Sequence, residues 1–140
     1  MGAQQLRARG APGWPRWQFH TGDAVRFLAR AIKDRERYEL VIIDPPTFSK
    51  ARGQPWTLAR DYPTLIARAA SVLANDGVLW LAANSHELAA GALAKLAIEG
   101  VRAAGREASI VEQGGLPPEY PTLAAQPHDR YLQVCVLRVG

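Results

Sequence analysis

Apolar positions along the chain fall into two kinds of run. Leu40-Val41-Ile42-Ile43 and Val78-Leu79-Trp80-Leu81-Ala82-Ala83 are continuous, the pattern of strands buried on both faces. Residues 17–20 read as a shorter strand, and 107–112 and 130–138 as two more. Between the strands the apolar positions recur at helical spacing. Val25, Phe27, Leu28 and Ile32 define one face of a helix to about residue 36, with Asp23 as its N-cap. Leu65, Ile66, Ala69, Ala70 and Leu73 predict a helix over 62–74. Asp61 would cap it, Pro63 suits its first turn, and Gly77 can take the left-handed position after it. Asn84-Ser85-His86-Glu87 predicts the capped start of a helix over 86–104, stopped by Gly105. A short helix over 2–9 would precede all of these, ended by Gly10, Pro12, Gly13 and Pro15. Residues 45–60 and 113–129 read as connections. Alternation of strand and helix argues for an α/β fold. Its sheet would be mostly parallel, with helical crossovers and one reversed strand at the carboxyl end.

The first continuous run ends abruptly, at Asp44-Pro45-Pro46-Thr47-Phe48-Ser49. Proline has no amide hydrogen for the ladder and holds the residue before it extended. Asp44 is therefore fixed at the carboxyl end of a central strand, where open α/β sheets place their ligand crevice. A carboxylate, free carbonyls and an aromatic ring on a stiff turn can grip a flat hydrogen-bonding ring such as a nucleobase. A strand that simply ends in a Pro-Pro turn would show the same residues. The loop that follows holds Lys50, Arg52, Trp56 and Arg60. Arginine suits phosphate and tryptophan suits base stacking, although Trp56 could equally fold back onto the body.

With its flanks, this stretch resembles motif IV of the class I S-adenosylmethionine (SAM) methyltransferases. It is most similar to the bacterial methyltransferases of large-subunit ribosomal RNA, in which the motif reads Asp-Pro-Pro-x-Phe. Upstream, Trp17 to Leu28 looks like the third strand of that fold with the acidic turn after it. Downstream, Arg60-Asp61-Tyr62-Pro63-Thr64-Leu65 resembles the start of the helix after motif IV. Leu73 to Ser85 resembles the turn, fifth strand and polar pair that follow. The resemblance runs from about residue 3 to residue 139. The family opens its domain with a strand, a glycine-rich loop around the methionine of SAM, and a second strand ending in a ribose-binding acid. No Gly-x-Gly occurs in this sequence, and the first residues already look like the helix after the second strand. The implied fold is an incomplete Rossmann-like methyltransferase sheet, residues 1–140 being the carboxyl-terminal portion of one domain. A truncated reading frame, a fragment and a decayed paralogue would all give this pattern.

The resemblance implies roles. Asp44 and Pro45 would orient the target base, Pro46 would shape the turn and Phe48 would stack on the ring. Asp23 and Ala24 would bind the adenine of SAM, with Asp44 also near the cofactor. Lys50, Arg52, Arg60 and Asn84 would contact substrate, although Asn84 could instead cap a helix. The related cytosine C5 enzymes carry a cysteine after the fifth strand. Here that place reads Ala82-Ala83-Asn84-Ser85, which points away from C5 chemistry and toward a guanine nitrogen. In the family the first strand lies beside the fourth, so without it the edge at Leu40–Ile43 would be bare: residues 17–20 would re-pair with that edge, or float, or the edge would pair with another copy. The implied cofactor is SAM, and the implied partner is RNA, 23S ribosomal RNA in particular. A non-catalytic RNA-binding or partner-completed remnant of the fold is the alternative. A DNA or small-molecule methyltransferase is a third, and the arginine-rich loop argues against a small substrate.

Composition changes this picture little. At 140 residues the chain is one domain at most. A net charge of +4 suits a polyanionic partner. No apolar run nears the ~20 residues that span a bilayer, and the arginines near the N-terminus have no apolar core behind them. A single cysteine, Cys135, excludes an internal disulfide and points to a reducing, cytoplasmic setting. It falls in a strand, as a core thiol would. His20, His86 and His128 lack metal-ligand spacing, so no metal is expected. Gly114-Gly115 reads as a turn and not as a phosphate loop.

Overall fold

The computed structural model describes residues 20–49, 56–86, 88–117, 119–121 and 131–140, and at 48 and 49 it describes the backbone alone. In chain order the elements are α1 (Ala24–Lys33), β1 (Tyr38–Ile43), β2 (Phe48–Ser49), β3 (Trp56–Thr57), α2 (Leu58–Ser71), β4 (Leu73–Asn84), α3 (Ala92–Ala103), β5 (Ala108–Gly115) and β6 (Leu132–Val139). Among the described residues, four strands form one sheet in the order β1-β4-β6-β5. β1 and β4 are parallel, while β6 runs antiparallel to both of its neighbours. This is the mixed α/β sheet with a reversed carboxyl-terminal strand that the alternation of elements predicts. The predicted helix over 2–9, the bulk of the strand over 17–20, and Lys50, Arg52, Glu87 and His128 lie outside the described residues.

Helices α2 and α3 cover one face of the sheet. Leu79, Leu81 and Ala83 of β4 and Cys135, Leu137 and Val139 of β6 are fully or almost fully buried against them, with Leu65, Ile66, Ala69, Leu93, Ala97 and Val101 from the helices. The two helices cross at Gly100. A Cβ there would stand 2.5 Å from Ile66 Cγ2, 2.7 Å from Ile66 Cβ and 3.0 Å from the Pro63 carbonyl oxygen, so only glycine fits the crossing. The other face is less covered. Val78, Trp80, Val134 and Val136 are half-buried, and Leu40 and Ile42 of the edge strand are 53% and 62% exposed. The expectation that β1 is buried on both faces therefore fails for Leu40 and Ile42. Its continuous apolar run records a cover that no described residue supplies.

Several boundaries shift, each for a local reason. α2 begins at Leu58 and ends at Ser71, not over 62–74. Asp61 does serve its amino end, but from inside the helix: Asp61 Oδ2 accepts from the Thr57 amide at 2.7 Å. Pro63 consequently lies within the helix. The left-handed residue after α2 is Asp76 (φ 58°), not Gly77, and a Cβ on Gly77 would meet the Ala74 carbonyl oxygen at 2.9 Å. α3 begins at Ala92, six residues later than predicted, with Gly91 in the left-handed region as its N-cap. Gln133 explains the delay. Its amide nitrogen donates to the carbonyls of Leu88 and Ala89 (3.1 and 2.9 Å), and its Oε1 accepts from the Leu93 amide (3.2 Å). A strand side chain thereby holds the irregular approach to the helix. Gly105 ends α3 with positive φ as expected. The strand predicted over 107–112 extends to Gly115, so Gly114-Gly115 is strand and not turn.

Arg106 fastens the base of the sheet. Its guanidinium donates to the carbonyls of Ala70, Leu73, Ala74, Val139 and Gly140 at 2.7–3.2 Å. One side chain thus satisfies acceptors at the end of α2, the start of β4 and the end of β6, which is what the five-donor fork of arginine allows.

Candidate active site

Two parallel strands, β1 and β4, end side by side, and their carboxyl ends carry the polar residues. The ladder between them closes at Ile43↔Leu81. Asp44 follows β1 and is exposed, and Pro45 is half-buried beside it. Pro45 has no amide hydrogen to continue the ladder, so carbonyls at this end need another donor. Tyr62 of α2 supplies it. Its ring is completely buried. Its hydroxyl donates to the Ala82 carbonyl at 2.7 Å and lies 3.4 Å from the Ile43 carbonyl. Burial pushes the phenol far above its ordinary range, and the charges of Asp44 and Cys135 push the same way. The hydroxyl therefore stays protonated and stays a donor at any physiological pH.

A second tie binds the turn itself. Thr47 Oγ1 donates to the Asn84 carbonyl oxygen, which joins the Pro-Pro turn after β1 to the last residue of β4. The Asn84 side chain is exposed. It does not cap a helix, since α3 starts eight residues later with Gly91 as N-cap. Asp44, Pro45 and Asn84 are thus brought to one edge of the sheet by backbone that Tyr62 and Thr47 hold. Neither of those two was singled out from sequence. The signal was present all the same: a strand that ends in proline needs a donor from elsewhere, and the helix after it offers one tyrosine. Phe48 lies in β2, which pairs antiparallel with β3; its side chain is outside the described residues.

The predicted loop over 45–60 holds that small β2–β3 ribbon and the first residues of α2. Trp56 is half-buried and packs edge-on against Tyr62, with ring centroids 6.4 Å apart. It lies against the body, the blander of its two predicted places. Arg60 stands in the first turn of α2, in a bidentate pair with Asp61 (Nε–Oδ1 2.9 Å, Nη2–Oδ2 2.7 Å). That pair, with the Thr57 amide, holds the Asp61 carboxyl below its ordinary range.

The second part of the site lies at the amino end of α1. Asp23 caps this helix as predicted, Oδ1 accepting from the Arg26 amide at 2.9 Å. Its Oδ2 has no partner among the described residues. A cleft of about 650 Å³ opens here, lined by His20, Gly22, Asp23, Ala24, Phe27 and the two arginines Arg26 and Arg30. A carboxylate oxygen beside an aromatic wall and a helix amino end fits the amino edge and the face of an adenine.

No family model matches the chain. It is 29% identical over 118 residues to ribosomal RNA large subunit methyltransferase I of Citrobacter koseri, a match that covers 84% of this chain and 30% of that protein. It is 27% identical over 121 residues to the protein of the same name from Aeromonas salmonicida, covering 86% and 31%. Among solved structures, SMU.776, described as a methyltransferase and complexed with SAH, superposes with a TM-score of 0.73 at 19% identity, covering 84% of this chain and 30% of that one. A SAM-dependent methyltransferase of Agrobacterium tumefaciens gives 0.60 at 21% identity, covering 83% and 38%. At such identities the structural matches speak for the fold. The chain spans about 30% of the length of the curated relatives it matches. Its relatives are ribosomal RNA large subunit methyltransferases, and its sheet with the reversed last strand superposes on part of the fold of solved methyltransferases.

Proposed function

We propose that residues 1–140 are the carboxyl-terminal portion of a SAM-dependent methyltransferase domain acting on ribosomal RNA, 23S in particular, with the target base held at Asp44-Pro45-Pro46 and Phe48. The observation that carries this is the paired strand ends: Asp44-Pro45 and Asn84 are held at one end of the sheet by Tyr62 and Thr47. SAM when bound supplies an electrophilic methyl group on a sulfonium. The chain's own part is positional. The Asp44 carboxylate and the Pro45 carbonyl accept hydrogen bonds from the edge of the base, Pro46 stiffens the turn, and Phe48 stacks on the ring. Asp23 and Ala24 hold adenine through the carboxylate and a backbone amide. Lys50, Arg52 and Arg60 face the RNA, and Asn84 contacts base or cofactor. Methyl transfer to nitrogen draws most of its acceleration from alignment, so a set of rigid positioning groups suffices. A guanine nitrogen is the favoured acceptor and the cytoplasm the setting.

Isothermal titration calorimetry with SAM tests this. On this reading the chain offers groups for adenine and for the base but no Gly-x-Gly loop, so these 140 residues alone should bind SAM weakly or not at all. Joined to the glycine-loop half of such a methyltransferase, the chain should regain binding and transfer label from SAM to 23S RNA. Asp44→Asn should then lower transfer without abolishing SAM binding. Absence of SAM binding in the joined protein would refute the assignment.

A second reading concerns association. Among the described residues β1 is an edge strand, and Leu40 and Ile42 on it are more than half exposed. Such an edge pairs readily with another strand, so a second copy docks there when no other chain does. Leu40→Lys with Ile42→Lys should keep the chain monomeric in sedimentation at concentrations where the parent chain associates. Equal sedimentation of both would remove the idea.

A further inference from the structure

The outer face of α1 carries a charge pattern to which neither the adenine reading of the cleft nor the strand-end site gives a role. Arg26, Arg30 and Lys33 stand at i, i+4 and i+7, which places them on one stripe of the helix. All three are exposed, while Leu28 and Ala31 on the opposite side enter the core. A purely solvated helix face commonly mixes signs, because like charges four residues apart repel. Asp23 and Asp34 stand three and four residues from Arg26 and Arg30, but among the described residues neither forms an ion pair with the stripe. The ion pairs found among the described residues are Arg60–Asp61 and Arg102–Glu107. Asp23 Oδ1 accepts from the Arg26 backbone amide, and Glu36 accepts from the Tyr38 hydroxyl. Arg30 is also pre-oriented, its guanidinium carbon 5.7 Å from the centroid of the Phe27 ring.

Two of the three cations, Arg26 and Arg30, line the cleft. The stripe therefore starts at the cleft and runs away from it for roughly 10 Å, at ~1.5 Å per residue. SAM carries its positive charge on sulfur, and a row of cations has no use for it. A long polyanion laid along the helix meets all three charges at once.

We infer that Arg26, Arg30 and Lys33 form a track for the phosphate backbone of the acceptor RNA, leading it past the cleft. The track rests on the proposal that the acceptor is RNA. Its chemistry is phosphodiester recognition without base readout, so it sets affinity and register and not the choice of target base.

Fluorescence anisotropy with a labelled single-stranded RNA of about 20 nucleotides, from 50 to 300 mM KCl, separates the outcomes. The full chain is compared with Arg30→Gln/Lys33→Gln and with a charge-matched control on α3, Lys95→Gln/Arg102→Gln. Single strands lose about 0.7 in log–log salt slope per phosphate contact. The stripe variant should therefore show a slope shallower by about 1.4, with affinity down roughly 10-fold at the lowest salt. The control should change by less than half as much. Glutamine is a good helix former and both positions are exposed, and circular dichroism checks that α1 survives. Equal slopes for parent, stripe variant and control would overturn the track while leaving RNA as the acceptor. Failure of the parent chain to bind RNA even at 50 mM KCl would overturn both.

Discussion

Tyr62→Phe is the substitution that most directly tests how the strand ends are held. It removes one oxygen and leaves the ring, so no cavity of consequence opens in the core. What is lost is the 2.7 Å bond to the Ala82 carbonyl; the 3.4 Å approach to Ile43 is at the limit of a hydrogen bond and contributes little. Ala82 is 2% exposed, and the next residue that could donate from β1 is Pro45, which cannot. Ala82 therefore keeps a buried acceptor without a donor, a state that costs about 1–3 kcal/mol. With a urea m-value of about 1–3 kcal/mol/M for a small protein, a loss near 2 kcal/mol lowers the midpoint by roughly 1 M. Urea denaturation followed by circular dichroism reads this, and the m-value should not change. Hydrogen exchange should quicken at the Ser85 amide, which donates to Tyr131 just beyond the stapled end of β4. A midpoint shift below about 0.2 M at unchanged m would refute the reasoning. It would mean that water or a relaxed backbone satisfies Ala82 without the phenol.

Three further outcomes follow from single contacts. Gly100→Ala gains about 1 kcal/mol of helix propensity but drives a Cβ to 2.5 Å from the fully buried Ile66; overpacking of about 1–3 kcal/mol should win, giving a lower urea midpoint that Ile66→Ala partly restores, and a stabilised protein would contradict the crossing. Asp61 is held below its ordinary range by Arg60 and then by the Thr57 amide, so its contribution is complete above about pH 4 and is lost as pH falls through the lower folded value; the Thr57 amide resonance should stay constant from pH 8 to 5 and move only below about 4, and a midpoint above that would contradict the pair. Cys135 is 1% exposed and its thiol is pushed up by burial, so iodoacetamide at pH 8 should label it only after urea unfolding, and native labelling at the unfolded rate would contradict the buried strand.

Legibility in the sequence tracked the origin of each signal. The strand at 78–83, its partner at 132–139 and the helix cap at Asp23 are written locally, in continuous apolar runs and in a side chain three residues from the amide it caps. The start of α3 was not, because the group that delays it is Gln133, 40 residues from Leu93 in the chain. A tetrapeptide with capping residues, Asn84-Ser85-His86-Glu87, outbid it on local grounds alone. The start of α2 was misplaced for the opposite reason. Asp61 does bond a helix-end amide, but as an acceptor reaching backward to Thr57, and spacing does not tell a residue before a helix from one inside its first turn. The exposure of Leu40 and Ile42 was hidden as well. Sequence records what a strand is built to be buried by, and only coordinates record whether the cover is there.

The motif and its support belong to one physical problem. Two prolines after Asp44 make the turn rigid and leave the Asp44-Pro45 carbonyls out of the ladder, but they also end the ladder at Ile43↔Leu81, three residues before β4 ends its pairing with β6 at Asn84↔Leu132. An unmatched strand end in the core is unstable unless a donor comes from outside the sheet. α2 brings Tyr62 to that place because Leu65, Ile66, Ala69 and Ala70, on the same buried face, fix its rotation against the sheet. Rigidity at the Asp44-Pro45-Pro46 turn is therefore set by packing one to two helical turns along α2 from Tyr62. A substitution such as Ile66→Ala, which touches neither strand end, should loosen the hold of Tyr62 on Ala82 and raise exchange at Ser85 together with its loss of stability. If exchange at Ser85 followed only global unfolding, the strand end would be rigid in its own right and the phenol a bystander.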